Sequence, residues 1–272
     1  MMIGGAAVRE HHQEFLEGPH WSTGLGNKPI PEKLKHDAIV EALFEVRFSM
    51  STIPEVFFGR IAEYETWKSF KQSQLPFYQI PAVMRQADPN LRYQPLFALT
   101  EEGQQRAVRI GPQAIVYSRG MPYVGWKVFK LELEQVIAAI FMKADDLKIE
   151  RLGLRYLNAL RHDLHGIRSI SDLDLKLEIA GECIEESVNI NTTTDGASDT
   201  ACTLRIATTD VIQGNLPPGT SVYVDVDVFT KEGFTTSDQD FVKDWIGRAH
   251  TKEKAHFFRL LKESTISSLT EK

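Results

Sequence analysis

The stretch RLGLRYLNAL, residues 151–160, alternates apolar side chains with other kinds, which is the pattern of a β-strand. Because successive side chains of a strand point to opposite faces, Tyr156 and Asn158 share one face and Arg155 lies on the other. The first face is otherwise apolar, so Asn158 is predicted to be a buried amide with hydrogen-bond partners. Arg155 lies beside Gly153, which leaves room for a ligand or another backbone. The strand therefore predicts either a polar recognition point in a curved sheet, or a buried anchor together with a surface ion pair.

The segments around this strand predict an α+β fold, with antiparallel sheets and helices packed on one face. Residues 38–50 alternate in the same way, and residues 53–70, 125–143 and 238–263 have the spacing of amphipathic helices. Further strands are expected near 92–99, 105–110, 114–119, 173–180, 186–193, 202–208 and 221–230. Short turns between consecutive strands favour antiparallel pairing. A similar order of elements occurs twice, which is typical of a duplicated TATA-binding-protein-like or helix-grip arrangement.

Three regions are expected along the chain. Residues 1–35 contain many glycines and prolines without a sustained period, and are predicted to be a flexible or draped N-terminal extension. Residues 36–148 form a first α+β half, and residues 149–272 form a second half that ends in a long helix. A chain of 272 residues is long enough for one large domain or for two small ones.

Composition narrows the classes of partner and the compartment. The net charge is −6 and the basic residues are scattered, which disfavours nucleic-acid binding. No apolar run approaches the roughly 20 residues that span a bilayer, and the first residues lack the pattern of a secretory signal. We therefore expect a cytoplasmic protein that does not bind membranes.

Cys183 and Cys202 are too few for a disulfide framework or a four-cysteine zinc site, and both are predicted to be free and buried.

Two groups of side chains have spacings found in metal sites. His162 and His165 lie three residues apart, but the glycine that follows favours a polar turn. Asp225 and Asp227 share one face of a predicted strand, where they could hold a cation or pair with arginine or lysine on a neighbouring strand. A cation needs more ligands than this spacing supplies, so ion pairs are favoured. We predict neither a metal site nor a cofactor.

No local motif indicates catalysis. The chain contains no GxxxxGK[ST] loop and no GxSxG motif. The single Gly24-Leu25-Gly26 lacks the preceding strand, third glycine and following helix of a dinucleotide site. No catalytic residue is therefore predicted, although distant residues can assemble an active site in the folded chain.

Two strands carry a resemblance to known proteins. The stretch AIVEALFEVRF (residues 38–48) and the stretch RLGLRYLNAL resemble segments of a sporadically distributed family of uncharacterised bacterial proteins. The terminal helix in that family has an aromatic segment of the type His-x-x-Phe, and AHFF, residues 255–258, resembles this segment. The resemblance covers roughly residues 33–263 and implies no reaction, cofactor or catalytic residue. The patchy distribution of this family among bacteria is typical of genes in defence, toxin–antitoxin and immunity cassettes. Membership of such a cassette implies a protein partner.

Two functions remain open from the sequence. The first is a non-enzymatic protein-binding partner, such as an antitoxin, an immunity protein or a phage-defence component, whose partner is encoded by a neighbouring gene. An acidic chain can cover a basic toxin surface by charge complementarity, and a homo-oligomer is also compatible. The alternative is a small-molecule-binding protein or enzyme with its ligand between a curved sheet and its helices. The binding residues predicted for these functions are Arg47, Arg155, Tyr156 and Asn158.

Overall fold

A computed structural model describes residue 28 and residues 30–103, 105–196, 199–212 and 216–270. The strands are β1 (Ile39–Ser49), β2 (Lys71–Gln74), β3 (Phe97–Glu101), β4 (Arg106–Ile110), β5 (Ala114–Gly120), β6 (Lys148–Arg161), β7 (Glu178–Ile179), β8 (Glu182–Cys183), β9 (Asn189–Asp195), β10 (Thr200–Thr208) and β11 (Thr220–Thr230). The α-helices are α1 (Pro54–Ala62), α2 (Ala82–Ala87), α3 (Trp126–Lys143), α4 (His162–His165), α5 (Gln239–Arg259) and α6 (Glu263–Leu269). Short 3₁₀ turns occur at Pro76–Gln79, Ile170–Asp172 and Thr209–Val211.

One antiparallel sheet contains nine of the described strands, in the order β2-β3-β4-β5-β1-β6-β11-β10-β9. The central strands β1 and β6 place Ala42 opposite Tyr156 and Leu43 opposite Arg155. In each half of the chain the first strand is central and the last strand pairs beside it. Further outward lie β4, β3 and β2 in the first half and β10 and β9 in the second, while β7 and β8 form a separate hairpin. The sheet therefore continues across the expected boundary between the halves. The predicted α+β fold is confirmed, and its likeness to TATA-binding or helix-grip proteins stays a prediction.

The core lies on one face of this sheet. Along β1, Ala42, Phe44, Val46 and Phe48 are at most 1% exposed, because the helices cover them. Helix α3 packs against β5, and α5 packs against β6, β10 and β11. Full burial of a valine or phenylalanine side chain contributes about 1.5–3 kcal/mol to folding. We call this side of the sheet the helix face, and the side that carries Glu41, Leu43, Glu45 and Arg47 the open face.

The first helix is shorter than its sequence pattern predicts. It ends at Ala62 and not near residue 70, because the backbone changes to three-residue turns. The Tyr64 amide donates to the carbonyl oxygen of Ile61 at 3.0 Å, and the Trp67 amide donates to that of Tyr64 at 2.8 Å. These turns bring Trp67 into the core, where it is 2% exposed.

The last helix and the strand expected over residues 173–180 also differ from prediction. Helix α5 ends at Arg259, because Leu261 leaves the helix to form a β-bridge with Leu173. Ala180 and Gly181 both have positive φ and form a tight turn. Because of this turn and the bridge at Leu173, the expected strand is reduced to the hairpin of β7 and β8. Cys202 is buried as predicted, whereas Cys183 in this hairpin is exposed, so its predicted burial is wrong.

The N-terminal region is described only in part. Residues 1–27 and 29 of the predicted extension lie outside the described residues. Leu34 is 5% exposed and forms a β-bridge with Thr270, which ties the two ends of the described chain together. Among the described helices, none has the length and apolar character needed to cross a bilayer.

Candidate functional site

Arg155 lies on the open face, as the period of the strand predicts. Its Nε and Nη2 donate to the two carboxylate oxygens of Asp225 at 2.8 and 2.5 Å. Arg151 donates to Asp227 at 3.3 Å and to Glu45 at 2.5 Å. Burial raises the pKa of Asp227, and the nearby Arg151 opposes that rise. The expected arginine partners of both aspartates on the neighbouring strand are therefore present.

Gly153 has a different role from the one expected. A Cβ atom at this position would lie 2.6 Å from Nη1 of Arg151. The space beside the glycine is thus occupied by the guanidinium of the same strand. The open face at β6 is therefore an ion-paired surface. The side chain of Arg155 on this surface is 43% exposed to solvent.

Arg47 belongs to the same surface. Its Nε donates to Glu45 at 2.7 Å, and its guanidinium lies 4.5 Å from the ring centroid of Tyr93. Further out, a groove of about 830 Å³ crosses the open face between the two halves of the sheet. The groove contains Arg109, which donates to Ser118 at 3.0 Å, and Arg205, which donates to Asn189 at 3.0 Å. Arg47, Arg151 and Arg155 pair with carboxylates, and Arg109 lies 3.8 Å from Glu41. Arg205 is held by a neutral amide, so the arginines named here do not form a cluster of unpaired positive charge.

The histidine pair has a structural role at His165. The backbone amide of Arg161 donates to Nδ1 of this buried imidazole at 2.9 Å, which occupies one of its two ligand atoms. Burial lowers the pKa of His165 and favours its neutral form. Within the described ranges, no group of three or more histidine, cysteine, aspartate or glutamate side chains could hold a metal ion.

Tyr156 and Asn158 lie on the helix face and are 0% and 2% exposed, so the predicted burial of Asn158 is confirmed. The Asn158 amide donates to the carbonyl oxygens of Tyr156 at 3.4 Å and Val224 at 3.3 Å. The Tyr156 hydroxyl lies 3.2 Å from that of Tyr123. The four residues predicted to bind are therefore divided between the faces, with Tyr156 and Asn158 on one side and Arg47 and Arg155 on the other.

Behind Tyr156 and Asn158 is a cavity of about 820 Å³. It lies between the helix face, the start of α3 and the second half of α5. Gly125, with φ of 84°, turns the chain into α3 at the edge of this cavity, a conformation that favours glycine. Residues 31–34 and 37–39 form another wall. They are held in place because Lys254 Nζ donates to the carbonyl oxygen of Glu32 at 3.2 Å and the Lys35 amide donates to that of Leu269 at 2.8 Å.

Glu253 is the buried acid of this cavity. Its side chain comes from α5, lines the cavity and belongs to a residue that is 5% exposed. It makes no hydrogen bond or ion pair with any residue that the structure describes. Burial raises the pKa of Glu253 to about 8, although Lys254 opposes the rise. An acid of this kind is expensive to bury, and such groups concentrate at functional sites.

Aromatic rings line the same cavity as this carboxyl group. Trp126 stacks on His250 with 3.9 Å between the ring centroids, and the rings of Tyr123 and Tyr156 meet edge to face at 5.9 Å. Burial lowers the pKa of His250 to about 4, so the imidazole is neutral at pH 7. Its Nδ1 is buried and has no hydrogen-bond partner among the described residues. The walls of the cavity thus combine aromatic rings with two polar groups whose hydrogen-bonding capacity is unused.

Sequence reasoning missed Glu253 and His250, although a signal exists for both. Helical spacing places Glu253 four residues after Ala249 and four before Phe257, on the apolar side of α5. His250 lies three residues before Glu253 and therefore on the same side. A carboxyl group in the middle of an apolar helix face predicts a buried acid, and this is the pattern that locates the cavity.

Compared with known proteins, the chain matches no family model and no curated protein. The resemblance of residues 38–48 and 151–160 to a sporadically distributed bacterial family therefore stays a prediction.

Proposed function

We propose that this chain binds a small organic molecule in the cavity between β6 and α5. The observation that carries the proposal is Glu253, a buried carboxyl group that lines the cavity without a partner in the described chain. Buried polar groups are almost always hydrogen-bonded, because an unpaired one costs about 1–3 kcal/mol or more. A ligand that pairs with Glu253 would recover this free energy on binding.

Other features of the cavity support the same function. Its volume of about 820 Å³ is in the usual range for ligand sites, and its walls combine aromatic rings with a few convergent polar groups. Tyr156 and Asn158 belong to these walls. A carboxyl group with a pKa near 8 can also donate a proton to a bound ligand, which is what an enzyme at this site would use.

A thermal-shift screen tests this proposal. At least one compound in a set of cationic, neutral and anionic metabolites is expected to raise the melting temperature. A ligand at 100 times its Kd adds about 2.7 kcal/mol of stability, or roughly 5 °C for a chain of this size. Val124→Phe should abolish the shift, because Val124 lines the cavity. The matched variant Val128→Phe, at a residue 45% exposed on α3, should keep it. If no compound stabilises the protein, or if Val124→Phe responds like the wild type, the proposal is wrong.

A protein partner is the second candidate function, in which the chain would act in the cytoplasm as an antitoxin, immunity or defence component. The supporting observation is a set of exposed large apolar side chains on α1, α2 and α3. Val83 and Met84 on the short helix α2 are 78% and 60% exposed. These two residues are adjacent in sequence, and contiguous exposed apolar surface marks sites of protein interaction.

Affinity purification from the native host, with the partner encoded by a neighbouring gene as the expected product, tests the second function. Wild-type protein should recover this partner in stoichiometric amount. A double variant with Val83→Ser and Met84→Ser should lose it, whereas Ile179→Ser, at a residue 69% exposed on β7, should retain it. Recovery of the same partner by all three proteins would show that α2 does not bind it, and a monomer without this partner would contradict the function itself.

A further inference from the structure

Building on the proposed function, we propose that the ligand of the cavity carries a protonated amine or a quaternary ammonium group. The first argument is the position of the charges around the cavity. Glu32, Lys33, Asp37 and Lys127 line it at exposed positions, where water screens their charge. Glu253 is the ionisable carboxyl group in the buried part of the wall. The interior of the cavity therefore presents one acid without a matching cation.

The nearest lysine does not neutralise this acid. Lys254 is next to Glu253 in sequence, but its Nζ donates to the carbonyl oxygen of Glu32 and lies 6.0 Å from the ring centroid of Phe258. Lys254 forms no ion pair with Glu253 in the described chain. The positive charge that a buried carboxylate requires would have to come from the ligand.

The aromatic walls favour the same chemistry. A cation over the face of a tryptophan or tyrosine ring is attracted by the ring quadrupole, and rings in combination recognise ammonium groups. Trp126, Tyr123 and Tyr156 line the cavity together with Glu253. The two tyrosine hydroxyls pair with each other at 3.2 Å, so their hydrogen-bonding needs are met inside the wall. An anion would be repelled by the ring faces and would form no charge pair with the carboxylate, and a neutral ligand would gain neither the charge pair nor the ring attraction.

Binding of a cation would release a proton. Burial raises the pKa of Glu253 to about 8, so the carboxyl is largely neutral at pH 7. A bound cation favours the carboxylate and expels the proton, so the affinity should rise with pH up to about 8 and then level off. The titratable groups that face Glu253 come from the surrounding elements, namely Lys254 and His250 on α5, Tyr156 on β6, Cys202 on β10, and Tyr123, Glu32 and Asp37 in the adjoining segments.

Pairs of isosteric probes test the inference by calorimetry. Choline is compared with 3,3-dimethyl-1-butanol, and acetylcholine with 3,3-dimethylbutyl acetate, because each pair differs in the positive charge and keeps the shape. The cation of at least one pair should bind about tenfold more tightly than its neutral partner at pH 7.5. Repeating the titration in phosphate and in Tris at this pH should show release of up to about three quarters of a proton per bound cation, since a group with a pKa of about 8 is protonated to that extent.

The Glu253→Gln variant is the matched test within the protein. It should reduce the preference for the cation to about twofold or less and abolish proton release. Glu232→Gln, at an exposed turn, should behave like the wild type, and thermal unfolding of both variants checks that they are folded. The inference is overturned if the neutral probes bind as tightly as the cations, or if Glu253→Gln keeps the preference. Binding of only neutral or anionic compounds in the thermal-shift screen would overturn it while the proposed function stands, and an absence of any ligand would overturn both.

Discussion

Glu253→Gln is expected to stabilise the protein at pH 8.5 and to change its stability little at pH 4.5. Burial raises the pKa of Glu253 from 4.5 to about 8 in the folded chain. Between these values the unfolded chain has lost the proton that the folded chain still holds, so the free energy of unfolding falls as the pH rises. The fall ends above about pH 8, where both states are deprotonated. Glutamine keeps the shape of the protonated acid and removes this dependence.

The size of the effect follows from the shift. A rise of the pKa from 4.5 to about 8 corresponds to about 5 kcal/mol, since one pKa unit is worth about 1.4 kcal/mol. For a chain of this size the melting temperatures of the two proteins should differ by roughly 10 °C more at pH 8.5 than at pH 4.5. Titrating groups that lie away from Glu253 contribute equally to both proteins, so they cancel in the difference.

Urea unfolding of the wild type and the variant at half-unit steps from pH 4.5 to pH 9 measures this difference. Glu232→Gln is the control, because the same chemical change at an exposed turn should leave the pH profile of the wild type unchanged. If Glu253→Gln and the wild type gave parallel profiles, Glu253 would carry a charge in the folded state at neutral pH. Its role as an unpaired buried acid would then have to be abandoned.

The sequence predicts the sheet better than it predicts the cavity. A strand has a period of two, so the opposite directions of Arg155 and Asn158 follow from their positions in sequence, and the structure confirms both. The arginine partners of Asp225 and Asp227 could be anticipated because strands in an antiparallel sheet place charged side chains side by side. The period of a strand does not show which strands pair. The strands β6 and β11, for example, pair although roughly 60 residues or more lie between them.

The cavity depends on contacts between residues that are remote in sequence. Glu32 and Lys254 meet although 222 positions separate them. No local period encodes such a contact, because it arises only when the N-terminal segment pairs with the end of α6. The helix pattern does hold the information that Glu253 is buried, but that pattern does not show whether a buried acid meets a basic side chain or an empty space.

The largest effect on the fold itself is expected from Leu154, one of the four leucines of the central strand β6, and Leu157 on the same strand is its control. Leu154 is 0% exposed on the helix face, whereas Leu157 is half-buried on the open face. Leu154→Ala should lower the free energy of unfolding by about 2–5 kcal/mol, because it leaves a cavity in a core that relaxes only in part. Leu157→Ala removes the same atoms from a partly solvated surface and should cost about 1 kcal/mol or less.

Urea unfolding with the slope of the transition left free distinguishes these outcomes. Leu154 lies on β6, which pairs with β1 of the first half and with β11 of the second, so its loss weakens the junction of both halves. We therefore expect the Leu154→Ala transition to move to lower urea as one step. Equal effects of the two substitutions would mean that the faces of β6 are not distinguished by burial. Two separated steps in Leu154→Ala alone would mean that the halves of the sheet unfold independently once their central contact is weakened.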